Sequence, residues 1–330
     1  MRFVTLAATA MIATPAIADQ PDIRAIVESH ILPGYEALAL EASELAEASS
    51  ENCTLENPNL IAAYHEAFDA WVSVSHLRFG PSEQDDRAFV LAFWPDPRGS
   101  TPKALSALIR DKDAAVSDAQ AFGTVSIAAR GFYALEFLLF DPQFTQGEAT
   151  GYRCRLVQAM ASDIAMTSAT IHAAWVDGYA DLIASAANDT YRTSTEAARQ
   201  LFTSLSTGLE FTSQTRLGRP MGTFERPRPN RAEARRSARS LRHVVLSLEA
   251  TRELAALISN KNDTLGKAFE TALGRAAALD DPVFAGVAEP QGRLSIEVLQ
   301  QNIETIRTIL AEDVGPSLGI SAGFNSLDGD

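Results

Sequence analysis

Cysteine and histidine are scarce in this chain of 330 residues, which contains two cysteines and five histidines. No Cys-x-x-Cys-His motif occurs, which excludes covalent attachment of haem. The sequence also lacks a nucleophile elbow, a phosphate-binding glycine loop and a dinucleotide-binding fingerprint. These absences remove the commonest cofactor and nucleophile chemistries from consideration.

Basic residues are outnumbered, with 28 lysines and arginines against 42 aspartates and glutamates and a net charge of −14. Such an excess of negative charge argues against nucleic acid, and against an anionic membrane surface, as a partner. Beyond the N-terminus no stretch is long and apolar enough for a membrane span. We therefore expect no transmembrane segment and no nucleic-acid partner.

The N-terminus has the three parts of a secretory signal peptide. Arg2 precedes an apolar run over residues 3–12, and an Ala-x-Ala cleavage site follows at 16–18. Residues 1–18 are predicted to be removed by cleavage near Ala18, which places the protein in the periplasm or outside the cell. In such an oxidising compartment Cys53 and Cys154 are expected to form a disulfide.

The rest of the chain is predicted to be all-α, because apolar residues recur at helical spacing and sustained alternation of period two is absent. We expect two packed helical bundles, residues 19–187 and 188–330, each resembling a four-helix bundle. Arg78-Phe-Gly-Pro81 and Arg216-Leu-Gly-Arg-Pro220 each close a predicted helix, which indicates a weak internal repeat. The predicted helices span residues 21–48 with a break or kink at Pro33-Gly34, 58–78, 102–110, 113–121, 125–140, 149–185, 194–217, 230–257, 263–278 and 291–311.

The stretch from residue 125 to 140 is almost entirely apolar and is predicted to be a helix buried on all sides. Gly131 within it indicates close approach of another backbone or of a ligand. Glu136 needs a partner, because an isolated carboxylate is costly in an apolar core. It either pairs with a core arginine or caps a neighbouring helix, or it points into a polar site between helices.

Gly131-Phe-Tyr133-Ala-Leu-Glu136 resembles the Gly-x-His-x-x-Glu signature of the imelysin-like family, with Tyr133 in place of the histidine. Members of that family are helical periplasmic or surface proteins linked to iron uptake and once classed as peptidases. Further segments extend the resemblance over most of the predicted mature chain: residues 78–81, 93–96, 217–222 and 231–240. The resemblance implies a binding protein without catalytic turnover that serves iron or another metal uptake system.

The expected site lies between the two bundles around Gly131, Tyr133 and Glu136, with His30 and Arg78 nearby. Tyr133, Glu136 and His30 are the candidate metal ligands, and iron is the candidate metal, although folding is not expected to require it. A hard Fe³⁺ ion can stabilise a tyrosine phenolate. The other hypothesis is that the tyrosine has removed metal binding and left a polar cleft.

Seven arginines fall between residues 226 and 242. Asn230 and Glu233 predict the capping box of a helix. On that helix Arg231, Arg235, Arg239 and Arg242 would share one face. These side chains either pair with glutamates of a neighbouring helix (Glu36, Glu41, Glu44 or Glu47) or bind an anionic ligand through their guanidinium groups.

Two other classes of function remain open. His65, Glu66 and Asp69 resemble the His-Glu-x-x-His helix of zinc proteases, which would make the protein a metallopeptidase. Alternatively the cleft holds no metal and the protein is an interaction scaffold. The expected partners are a small anionic or metal-containing ligand and another protein of the cell envelope.

Overall fold

The computed structural model of the protein describes residues 20–146 and 150–320. Within these ranges the fold is all-α, as predicted, and the only β pairing is an isolated bridge between Thr223 and Arg226. None of the helices found there is long and apolar enough to cross a membrane. The predicted signal peptide and its cleavage site at Ala18 lie outside the described residues.

Among the described residues, the first half of the chain forms ten α-helices. A π-helical turn at Val27–Ile31 joins the first two of them, and another at Trp175–Tyr179 joins the last two. Their bounds are α1 Ile23–Ile26, α2 Leu32–Glu51, α3 Pro58–Val74, α4 Arg87–Leu91, α5 Ser100–Asp111, α6 Ala119–Phe122, α7 Gly131–Phe140, α8 Pro142–Thr145, α9 Thr150–Ala174 and α10 Ala180–Ser185.

The second half, as far as residue 320, forms six further α-helices, and a π-helical segment at Phe211–Leu217 joins the first two. Asn262 caps one of them by accepting a hydrogen bond from the backbone N–H of Leu265. The bounds are α11 Ser194–Glu210, α12 Gly218–Met221, α13 Ser240–Ile258, α14 Asp263–Ala277, α15 Pro290–Ile309 and α16 Gly315–Ser317.

The long helices form two groups of four. In the first half α2 packs on α3 and α9, and α7 packs on α9. In the second half α13 packs on α11 and α14, and α15 packs on α14 and α11. Helices α3 and α13 join the two groups, and one hydrophobic core runs through both. The division into domains at residues 187 and 188 stays a prediction.

The predicted disulfide between Cys53 and Cys154 is present, with Cα atoms 5.3 Å apart. It links the loop after α2 to the first turns of α9 and closes a segment of 101 residues. Closure of a loop this long stabilises the fold by about 4–5 kcal/mol if the effect is mainly on the entropy of the unfolded chain.

The first long helix is not interrupted at Pro33, where the sequence predicted a break. Helical structure runs from Ile23 to Glu51, and the π-helical turn at Val27–Ile31 directly precedes the proline. Proline has no N–H for the α-helical ladder, and a wider turn before it accommodates the ring without ending the helix. The close packing of α2 on α3 also explains Gly34, where a Cβ would lie 2.7 Å from the side chain of Val74.

Helix α7 is shorter than the predicted helix 125–140, because it begins at Gly131. The backbone there is left-handed, with φ of +74°, and a Cβ would overlap the carbonyl oxygens of Val90 and Leu91. Only glycine fits both conditions. The predicted close approach of another backbone to Gly131 is therefore confirmed.

The helix predicted from Asn230 is wrong over its first ten residues, since α13 begins at Ser240. A 3₁₀ turn and a series of other turns cover residues 229–239, and Ala234 and Ala238 have positive φ values of 43° and 57°. The capping box with Glu233 is therefore absent. Glu233 is instead buried, and its carbonyl accepts a hydrogen bond from the hydroxyl of Ser240.

Candidate functional site

A cavity of about 380 Å³ lies between the two groups of helices. One side of the cavity comes from α3, the residues after it as far as Trp94, and α7. The other side comes from α11, the π-helical segment after it, the turn at Glu233, and α13. The lining residues are Trp71, Ser75, His76, Arg78, Phe89, Ala92, Trp94, Tyr133, Gln200, Thr203, Ser204, Thr207, Gly208, Phe211, Arg216, Glu233 and Ser247.

The floor of the cavity is a buried hydrogen-bonded network centred on Glu233. The hydroxyl of Tyr133 donates to one carboxylate oxygen, and Arg216 Nε donates to the other at 2.7 Å. His243 Nδ1 lies 3.4 Å from the second oxygen. Arg216 Nη1 also donates to the hydroxyls of Thr212 and Ser247, at 3.2 and 3.1 Å. The network thus places an ion pair under the cavity.

The electrostatic environment keeps Glu233 ionised. Burial by itself raises the pKa of this carboxyl, but the charge of Arg216 and then His243 outweigh burial, and the pKa falls from an ordinary 4.5 to about 2. Burial, followed by the charge of Glu233, raises the pKa of Tyr133 well above 10. The tyrosine therefore remains a neutral phenol that donates to a carboxylate.

Glu136 faces a different part of the protein, although it lies three residues after Tyr133 on α7. One of its oxygens accepts hydrogen bonds from the backbone N–H and the hydroxyl of Ser237, both at 2.9 Å. It is buried but does not line the cavity. Glu136 thus holds the turn before α13, which favours the structural interpretation of the two that the sequence left open.

Aromatic side chains form one wall of the cavity. The ring centre of Trp94 lies 5.9 Å from that of Tyr133, and the two rings are nearly parallel. It also lies 5.9 Å from the ring centre of Phe211, and the planes of those two rings meet at 80°. Trp94 belongs to the loop that precedes α5. The guanidinium of Arg216 lies over the ring of Phe211 at 4.9 Å, which orders this wall against the ion pair.

Arg78 stands at the exposed edge of the cavity. Its Nε and Nη2 atoms donate to the two carboxylate oxygens of Glu83 at 2.6 and 3.2 Å, and its guanidinium lies 5.0 Å from the ring centre of Phe89. Among the described residues its Nη1 atom has no hydrogen-bond partner. One edge of the guanidinium is consequently available.

Two buried polar atoms on residues that line the cavity have no hydrogen-bond partner: Ser204 Oγ and His76 Nδ1. The other ring nitrogen of His76 lies 3.1 Å from His30 Nε2, and His30 Nδ1 lies 3.5 Å from the exposed carboxylate of Glu253. Burial, then the charges of His30 and Arg216, lower the pKa of His76 well below 6.5. His76 is therefore a neutral imidazole beside the cavity.

The residues that the sequence proposed for the site are separated in the structure. Tyr133 and Arg78 line the cavity, whereas Glu136 does not, and Gly131 only accommodates a neighbouring backbone. His30 does not line the cavity itself, but it contacts His76, which does.

The arginines of residues 231–242 do not share a helix face, which corrects the predicted anion-binding stripe. Arg239 and Arg242 both bind the carboxylate of Asp69, and Arg235 donates to the backbone carbonyl of Asn230. Arg231 lies in the 3₁₀ turn and is exposed. Residues 232–239 are not helical, so the helical spacing that was expected to align these side chains is absent. The pairing with Glu36, Glu41, Glu44 or Glu47 is not found among the described ion pairs either.

The proposed metal ligands do not fit a common ion. Tyr133 binds Glu233, Glu136 binds Ser237, and His30 contacts His76, so the three side chains point to three different partners. Within residues 20–146 and 150–320, no three His, Cys, Asp or Glu side chains are grouped so that they could hold a metal ion. A closed metal centre needs several converging ligands.

The set suggested for a metallopeptidase is also not assembled. The carboxylate of Asp69 is held by two arginines, and Glu66 is exposed. The ring of His65 stacks on Phe140 at 5.6 Å, and burial, followed by the charge of Arg239, lowers its pKa to about 4. His65 therefore serves packing, and Asp69 serves ion pairing, between α3 and its neighbours.

Sequence reasoning missed Arg216, Glu233 and Trp94. One signal was available for the arginine, since Arg78 and Arg216 occupy the same place in the two copies of the Arg-x-Gly motif, and both line the cavity. No local pattern marks Glu233, because its partners lie 17 and 100 residues away in the chain.

The fold and the motif define a class of all-α proteins built from packed groups of long helices. The family model of the imelysins, also described as peptidase M75, matches residues 31–310, and the chain belongs to that family. No curated protein matches the chain significantly.

Solved structures of related shape agree with the family assignment. An imelysin-like protein from Psychrobacter arcticum 273-4 has a TM-score of 0.77 at 19% identity, covering 92% of this chain and 96% of that one. A putative iron-regulated protein A precursor from Parabacteroides distasonis ATCC 8503 has a TM-score of 0.72 at 13% identity, covering 91% and 96%. At these identities the similarity concerns the fold.

Proposed function

We propose that this protein is a periplasmic or secreted binding protein that holds a small ligand in the cavity between its two helical groups and serves iron uptake. The observation that carries the binding role is the cavity itself, which combines five aromatic side chains with a few polar ones. Small-ligand sites are typically clefts of this kind, mostly apolar with a few polar groups that orient the ligand. In this proposal the protein binds its ligand without catalysing a reaction.

The link to iron rests on the family and on the iron-regulated precursor of similar fold, and the secreted location rests on the predicted signal peptide. The ligand itself need not be a bare metal ion, because the lining offers a single carboxylate, Glu233, and Arg216 already neutralises it. A partner in the cell envelope would receive the ligand.

Blocking the cavity tests this function. Thr203 lines the cavity and is only half-buried, so Thr203→Trp should fill the space without disrupting the core. Thr170→Trp, at an exposed helical position, is the matched control. In the source bacterium lacking the gene, growth under iron limitation should be restored by wild type and Thr170→Trp and not by Thr203→Trp.

Native mass spectrometry of the protein released from the same cells provides the second measurement. The wild type and the control should carry a bound small molecule that the Thr203→Trp variant lacks. Equal restoration of growth by all three proteins, with no difference in bound mass, would show that the cavity has no part in the function.

A further inference from the structure

The side chains that line the cavity restrict the chemistry of the ligand more than the cavity volume does. Five aromatic side chains contribute to the lining: Trp71, Phe89, Trp94, Tyr133 and Phe211. Aromatic rings in contact gain from offset-stacked or edge-to-face arrangements beyond the area that they bury. The near-perpendicular rings of Trp94 and Phe211 form a corner in which another ring can make such contacts. The wall therefore favours a ligand with an aromatic ring over a purely aliphatic or inorganic one.

The opposite wall is polar and comes from one face of α11. Gln200, Thr203, Ser204 and Thr207 recur there at helical spacing, and all four line the cavity. The hydroxyl of Thr207 is satisfied by backbone carbonyls of its own helix, whereas Ser204 Oγ has no partner. Polar groups on one edge of a ligand can therefore lie against this face of α11.

The floor of the cavity offers no net charge to a ligand. Arg216 is neutralised by Glu233, and four of the side-chain oxygens around it already accept its N–H groups. A second anion placed against Arg216 would compete with Glu233 for the same donors. The charge that selects a ligand must therefore come from the exposed edge.

Among the described residues, the exposed edge carries one unpaired positive charge, that of Arg219, and a free hydrogen-bond donor on Arg78, which is itself paired with Glu83. Glu83 occupies the Nε and Nη2 side of the Arg78 guanidinium, so the Nη1 edge remains to donate to a second carboxylate. Arg219 adds to the field, since its guanidinium lies 5.6 Å from the Trp94 ring centre and it forms no ion pair with any described residue. A single negative group at the edge is the charge that this arrangement accommodates.

We infer that the cavity takes a planar aromatic ring carrying one anionic group, such as an aromatic carboxylate, with the ring against the aromatic wall and the anion at the free edge of Arg78. This inference rests on the proposed function, because it takes the cavity to be the ligand site. It names the ligand by its chemistry and requires no metal ion in the cavity.

Three matched probes test the inference by isothermal titration calorimetry: 2-naphthoate, the uncharged 2-naphthylmethanol and the saturated decahydro-2-naphthoate. Wild type should bind 2-naphthoate at least tenfold more tightly than either of the other two. Arg78→Gln should weaken 2-naphthoate about tenfold or more, since it removes a charge-assisted hydrogen bond, and should leave 2-naphthylmethanol unchanged. The control is Arg110→Gln, an exposed arginine whose only ion-pair partner is Asp111.

The possible failures are distinguishable. Equal affinity for 2-naphthoate and either other probe, no binding of 2-naphthoate to wild type, or no effect of Arg78→Gln would overturn the ligand class alone. Binding of 2-naphthoate that persists in Thr203→Trp would place the probe outside the cavity and count against the proposed function as well. Circular dichroism and melting temperature of each variant verify that it is folded.

Discussion

Glu136 and Glu233 are both almost completely buried, yet the protein treats their carboxyl groups in opposite ways. Burial raises the pKa of Glu136, and the hydrogen bonds from Ser237 oppose this only in part. For Glu233 the same effect of burial is overcome by Arg216 and His243, and the pKa falls to about 2. Burial therefore does not decide whether a carboxyl is charged; the charge of its partners does.

The comparison also separates the family motif from the cavity. Glu136 completes the motif but holds a turn, whereas Glu233, which no motif marks, lies under the cavity with Tyr133 and Arg216. A short motif thus identified the right helix and one lining residue, Tyr133, without identifying the carboxylate at the site.

The largest effect on stability is expected from Arg216→Met, which leaves the charge of Glu233 buried without its main partner. Loss of one member of a buried ion pair costs about 3–5 kcal/mol. Unfolding by urea should show this decrease. The double variant Arg216→Met/Glu233→Gln should recover part of it, and a double variant no more stable than the single one would show that the uncompensated charge is not the cause.

The two glutamates should affect the pH dependence of stability with opposite signs. The pKa of Glu233 is lower in the folded state, so its contribution is present above about 4.5 and is lost as pH falls from there toward about 2. The pKa of Glu136 is raised on folding, so its contribution is present below 4.5 and is lost as pH rises through the folded value.

Glu233→Gln should consequently flatten the decline of the unfolding free energy at acid pH. Glu136→Gln should instead lessen the decline of the unfolding free energy as pH rises toward neutral, because glutamine does not titrate. Its amide oxygen still accepts hydrogen bonds from Ser237. Urea unfolding measured from pH 2 to pH 7 on wild type and both variants distinguishes the two. Parallel profiles for the two variants would contradict the comparison.

A smaller effect is expected from Tyr133→Phe, which removes a donor from the ionised Glu233. A hydrogen bond to a charged group contributes about 1.5–3 kcal/mol. Tyr179→Phe is the matched control, because the Tyr179 hydroxyl is hydrogen-bonded at 2.7 Å to that of Tyr191, a neutral group. The control should lose about 0.5–1.5 kcal/mol. Equal losses in the two variants would indicate that Glu233 is not charged.

The smallest effect should follow Ser237→Ala. The backbone N–H at residue 237 still donates to Glu136, so a loss of about 0.5–1.5 kcal/mol is expected. The affinity of the cavity for 2-naphthoate should be unchanged, since Glu136 and Ser237 do not line it. A reduced affinity in this folded variant would show that the two regions are coupled.

Much of the fold was predictable because helices depend on local sequence. The boundaries predicted for α14 and α15 agree with the structure to within two residues, and Asn262 caps α14 as its side chain permits. The disulfide between Cys53 and Cys154 was predictable because only two cysteines are present in a chain with a predicted signal peptide.

The site was predictable only in part. Tyr133 and Arg78 were found from motifs, but the arginines of residues 231–242 were placed on a helix that does not form. Local propensity allowed that helix, and the tertiary fold overrode it by drawing Glu233 into the core against Arg216. The energy of that ion pair depends on a residue 17 positions earlier, which helical spacing does not detect.

Local sequence patterns were enough to predict that the protein is all-α, where most of its long helices lie, which cysteines pair and to which family it belongs. Each of these depends on side-chain periodicity, composition or a short motif, which are properties of neighbouring residues. Long-range packing, in contrast, sets which carboxylate lies under the cavity and which arginine edge remains free. Both depend on contacts between residues that are distant in the chain, such as Tyr133 and Glu233, which are 100 residues apart. Packing brings such groups together and thereby sets their charge and their hydrogen bonds.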